Sequence, residues 1–126
     1  MNKRKPLLIL LIALCMACSK SQDQACVAPA VDKNIIGTWT VKVPTGSGKV
    51  TFNADGTFVD DAGLLVDGEI NGVIATKRTW SVANNKLSVN ASAPGNGSIG
   101  FILNVLDNQC SKITLDYVFA KVDLTR

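Results

Sequence analysis

The chain has no histidine. This removes His-dependent catalytic triads, the commonest protein metal ligand and the usual general base near neutral pH. No part of the 126 residues sustains the 3.6-residue apolar period of a long amphipathic helix. No basic patch interleaved with aromatics stands anywhere beyond the N-terminus, so a nucleic-acid partner is not expected. The one long apolar run, from Leu7 to Ala17, is shorter than the roughly 20 residues that a permanent membrane-spanning helix needs.

That run has its own meaning. Lys3, Arg4 and Lys5 precede it, nothing charged interrupts it, and small residues close it. Such a segment reads as a secretory signal peptide over residues 1–17. It is apolar all round, without the polar face of a surface helix. In Leu14-Cys15-Met16-Ala17-Cys18 a small residue precedes a cysteine, and this resembles the lipobox of bacterial lipoproteins. The departure is Cys15, where that family has Leu or Val. The resemblance implies that Cys18 is diacylated and becomes the new N-terminus. It also implies a place in the bacterial cell envelope, anchored to the membrane by lipid. Acyl chains would supply the anchorage that the short run cannot; the alternative is an ordinary cleaved signal and a freely secreted domain. Lys3, Arg4 and Lys5 leave with the signal, so ten basic residues remain against ten acidic ones. The basic character of the full chain thus belongs to its targeting segment.

Of four cysteines, Cys26 and Cys110 remain. In a compartment outside the cytosol they are a candidate disulfide, with two unpaired thiols as the alternative. A thiolate nucleophile has little support. Residues 18–33, with the lipidated Cys18 at their head, are polar, small and interrupted by Pro29, and read as a flexible tether.

From Asn34 the character changes to short alternating runs between turn signals. Trp39, Val41 and Val43 share a face; Val50 and Phe52 follow, and Asp55-Gly56 suits a tight reversal before Phe58. A weaker stretch covers residues 64–70, and Asn71-Gly72 separates it from a longer run at 73–82 that carries Trp80. Leu87, Val89 and Ala91 alternate, as do Ile99, Phe101, Leu103 and Val105. In the last run, Ile113, Leu115 and Tyr117 lose phase to Val118, Ala120, Val122 and Leu124, which predicts a bulge or bend near Tyr117. Eight candidate strands without crossover helices predict an all-β fold over residues 34–126, an antiparallel up-and-down meander closing into an eight-stranded barrel.

Ile35-Ile36-Gly37-Thr38-Trp39-Thr40-Val41 resembles the Gly-x-Trp first strand of lipocalins. Together with residues 52–58 and 79–89, it is similar to the small lipocalin-like domains of bacterial lipoproteins. In that family the first-strand Trp plugs one barrel end under an Arg. The resemblance implies this role for Arg126, in phase with Val122 and Leu124, or for Arg78, in phase with Trp80. The short loops and the lack of a C-terminal helix depart from the family and bear on whether a ligand-sized cavity remains. A sandwich is the runner-up fold, since Cys26, Trp39 and Cys110 imitate an immunoglobulin spacing, but Asn108 stands where Tyr is expected.

Candidate chemistry is sparse. Asp60, Asp61, Asp67 and Glu69 form the densest acidic group; without the spacing of a known cation loop they read as solvated turns. Asn90-Ala91-Ser92 and Asn96-Gly97-Ser98 match a glycosylation acceptor pattern of ordinary turn residues. Neither a metal, a cofactor nor a catalytic residue is expected. Trp39, Phe52, Phe58, Trp80, Phe101 and Tyr117 are the barrel-interior residues that either line a ligand cavity or fill it. The expectation is a non-enzymatic barrel, with two readings open. One is a binder of a small hydrophobic ligand, requiring a void of roughly 300 Å³ or more. The other is a protein-protein interaction module with a filled core.

Overall fold

The computed structural model describes residues 25–126. The signal segment, Cys15, Cys18 and the first residues of the tether lie outside the described residues. The described chain enters through an extended segment and a single helical turn, α1 (Val31–Asn34). Ten strands follow: β1 (Gly37–Val43), β2 (Gly46–Phe52), β3 (Phe58–Val59), β4 (Glu69–Ile70), β5 (Val73–Ile74), β6 (Lys77–Ala83), β7 (Lys86–Ala93), β8 (Gly97–Asn108), β9 (Lys112–Tyr117) and β10 (Ala120–Thr125).

Eight of them form one antiparallel sheet in the order β3-β2-β1-β10-β9-β8-β7-β6, while β4 and β5 make a separate hairpin. Every neighbour in the large sheet is adjacent in sequence except the β1–β10 pair, where Val41 faces Leu124 and joins the two ends of the meander. Between the remaining edges, β3 and β6, Thr57 bridges Thr79, and the Trp80 amide donates to the Gly56 carbonyl at 2.8 Å. The barrel is therefore nearly closed, with a seam at β3/β6.

Alternation decides what goes inside. The face carrying Trp39 and Val41 on β1, Leu87, Val89 and Ala91 on β7, Ile113 and Leu115 on β9, and Val122 and Leu124 on β10 is buried in one contiguous core. Turn chemistry fixes the register. Asn84 and Asn85, at φ 51° and 55°, make the two-residue link from β6 to β7. Gly56 takes φ 83° between β2 and β3, the positive region that a Cβ penalises.

The strand count of eight survives through two compensating differences. Residues 64–70 are mostly loop and stand outside the large sheet, because β3 ends after two residues and the chain turns away over the barrel. The final run, in contrast, supplies two strands. The loss of phase at Tyr117 is a reversal in which Tyr117 pairs with Ala120 and the Phe119 amide donates to the Tyr117 carbonyl. A two-residue turn shifts the alternation much as an inserted residue does, so the pattern alone did not separate them. The bulge lies instead in β8, between Val105 and Asp107.

Candidate functional site

Following the meander up and down gives the barrel two unlike ends. The lower end gathers α1, the β8–β9 connection and the C-terminus. Cys26 and Cys110 form a disulfide there, with Cα atoms 6.1 Å apart. Asn34 is buried and donates from Nδ2 to Asn108 Oδ1 (2.7 Å) and to the Gln109 carbonyl (2.8 Å). Asn108 Nδ2 in turn donates to the Pro29 carbonyl at 2.8 Å. Fully buried Trp39 donates from Nε1 to the Ile35 carbonyl at 2.7 Å. The Arg126 guanidinium lies 4.2 Å from the centre of its ring, a cation–π distance. Arg126 also donates to Asn34 Oδ1 and the Cys110 carbonyl. Arg126, not Arg78, covers the tryptophan. Every donor and acceptor named here is used within the protein, so these residues plug the barrel at this end, with a recess of about 320 Å³ beside them between Val31, Asn85 and Val105–Asn108.

Phe52, Phe58 and Trp80 gather at the seam. Phe52 stacks on Phe58 with centroids 5.8 Å apart and meets Trp80 edge-on at 5.7 Å. Trp80 Nε1 donates to the Asn53 carbonyl at 3.0 Å. These rings join β2, β3 and β6 where backbone pairing is thinnest, packed on one another at the seam.

The upper end is different. A cavity of about 450 Å³ opens there, lined by Val43 and Pro44 of the β1–β2 corner, Ile99, Phe101 and Leu103 of β8, Tyr117 and Phe119 of the β9–β10 corner, and the segment Gly63–Asp67. Of the six aromatic candidates only Phe101 and Tyr117 reach it, packed edge-on at 5.1 Å. Its lining residues are apolar or glycine apart from Thr45, Asp67 and Tyr117. Phe119 is 94% exposed and stands at the rim. Sequence reasoning passed over it because it took the position for a bend inside a strand.

The roof of the cavity owes its shape to Asp60. This residue is buried, and its carboxylate accepts the amides of Leu64 (2.9 Å), Leu65 (2.8 Å) and Val66 (3.3 Å). A buried carboxyl group whose oxygens accept several backbone amides avoids the penalty of an unpaired polar group. The loop so fastened buries Leu65 and Val66 in the core. Leu64 packs over Gly48 of β2, where an added Cβ would come within 3.0 Å of it. Asp60 is therefore not a solvated turn residue, although Asp61, Asp67 and Glu69 are exposed. Among the described residues no group of three or more acidic or thiol side chains is placed to hold a metal ion.

No protein-family model matches the chain, and no curated protein or solved structure shows significant similarity to it.

Proposed function

We propose that this is a lipocalin-like binding protein, without enzymatic activity, that takes a small hydrophobic molecule at the upper mouth of its barrel. The observation that carries the reading is the cavity of about 450 Å³, within the roughly 300–1,000 Å³ range of small-molecule sites. Its predominantly apolar wall agrees with such a ligand. The Gly-x-Trp start, Trp39 under Arg126 and the meander topology support the lipocalin-like character. The lipobox-like sequence around Cys18 supports a lipid-anchored protein of the bacterial cell envelope.

Titration with the neutral fluorophore N-phenylnaphthylamine tests binding. Saturable one-to-one enhancement is expected, weakened at least tenfold in Ala120→Trp, which places an indole at the cavity wall. A linear, non-saturating response would remove the ligand reading and leave the alternative of a protein-protein interaction module. Mass spectrometry of the mature N-terminus tests the anchor separately. A diacylated Cys18 is expected, and an unmodified start elsewhere rejects it.

A further inference from the structure

The link from β9 to β10 departs from the chemistry of the other two-residue reversals. Asn71-Gly72 and Asn84-Asn85 turn with positive φ, the geometry that fits strand twist and that Asn and Gly adopt most easily. Val118-Phe119 contains no such residue, and neither position takes a positive φ. Both side chains stand in water instead, Val118 at 73% and Phe119 at 94% exposure. Continuing the β8–β9 register beyond Asn104–Asp116 sets Ile102 level with Val118, and Ile102 is 60% exposed. A local rule broken in favour of exposed apolar groups points to a task outside folding.

Shape, area and chain length narrow the partner. The apolar groups protrude from a hairpin tip rather than line a hollow. A phenylalanine offers roughly 150–250 Å², so with Val118 and Ile102 it falls short of the roughly 800 Å² that each partner buries in a specific protein interface. Lipid makes no such demand, because a few apolar side chains can enter its interface without a matching surface. We propose that the Val118–Phe119 tip dips into the bilayer that holds the anchor. The inference rests on the lipid anchor at Cys18 and not on ligand binding. From Cys18 to Cys26 there are eight Cα steps, a reach of at most about 28 Å. This is less than the length of β8, whose twelve residues rise about 40 Å. So short a leash keeps the barrel within one body length of the bilayer, and tilting lays the tip on it. Exposed Asp61, Asp67 and Glu69 belong to the roof or flank it at the same end, which suits a zwitterionic lipid surface and opposes an anionic one. Phe119 also lines the cavity, so the part of the rim that meets lipid opens directly on it.

The acylated chain carrying Phe119→Trp, reconstituted in phosphatidylcholine vesicles, tests this. Vesicle flotation reads the anchor, and quenching by phosphatidylcholine brominated in its acyl chains reads the tip. The emission that Phe119→Trp adds over the wild-type chain is expected to fall at least twofold in brominated vesicles. Asp107→Trp, exposed at the opposite pole, should show no such loss. Val118→Asn combined with Phe119→Gly should keep the urea midpoint of the wild-type chain or raise it, since Asn-Gly suits a two-residue hairpin. Flotation without quenching at 119, equal quenching at 119 and 107, or a lower urea midpoint in the double variant would overturn the tip contact and leave the anchor standing. If the wild-type chain does not float, the anchor fails and the tip contact with it.

Discussion

Asp60 and Asp61 are neighbours of identical chemistry and opposite fate. One carboxylate is buried under three backbone amides, and the other is in water. Nothing in the local sequence separates them, because the partners of Asp60 are main-chain donors that any residue type but proline would supply at 64–66. Asp60→Ala removes all three acceptor contacts and leaves buried amides unpaired. It is expected to lower unfolding free energy by about 2–4 kcal/mol, measured by urea denaturation, and to speed amide exchange at Leu64, Leu65 and Val66. Asp55 offers a test of opposite character at an exposed turn. The Thr57 hydroxyl, donating at 2.6 Å, and then the Thr57 amide at 2.9 Å hold its carboxyl below the ordinary value of 3.8. A carboxyl lowered on folding adds stability above its unfolded-state value, and that contribution is lost as pH falls through the folded value. The window therefore lies at and below 3.8. In Thr57→Val, an NMR titration should show the Asp55 midpoint moving up toward the ordinary value.

The elements differ in how firmly they are held. From β7 through β8, β9 and β10 to β1 and β2 each ladder holds at least three residue pairs, and eight between β7 and β8, whereas β3 pairs with β2 over two residues and meets β6 through one bridge. Hydrogen exchange should be slowest at Val89, Leu103 and Leu115 and fastest along β3 and the β4–β5 hairpin. Trp80→Ala removes the edge-on contact with Phe52 and the Nε1 hydrogen bond to Asn53, both of which cross the seam. A loss of about 2–4 kcal/mol in thermal or urea unfolding is expected, somewhat below that of fully buried aromatic truncations because Trp80 is half-buried. Most of these elements were legible in the sequence, because alternation and Asn/Gly turns are local signals. The β9–β10 reversal was not. Val118 and Phe119 are apolar and carry none of the usual turn chemistry, and that also concealed Phe119 at the cavity rim. The roof was equally hidden: Leu64, Leu65 and Val66 look like a weak strand until a buried carboxylate ties their amides.

At the scale of the molecule, closure was legible from strand number and the absence of crossover helices, but the contrast between the two ends was not. It depends on which residues distant in sequence meet, such as Asn34 with Asn108 and Arg126 with Trp39. The Cys26–Cys110 bridge spans 84 residues of sequence, so its main action is to restrict the unfolded chain. Reduction, or Cys26→Ser, is expected to lower the unfolding free energy by about 2–4 kcal/mol, with a lower urea midpoint. Trp39 should keep its protected environment in fluorescence quenching, because Ile35, Asn34 and Arg126 still cover it.

The same bridge has a directional effect. It ties the incoming polypeptide to the sealed pole, so whatever grips the chain ahead of Cys26 holds the molecule by its base. The opening ringed by Pro44 and Phe119 then points away from the point of attachment. On the proposed binding function, a ligand enters and leaves on the side away from that base.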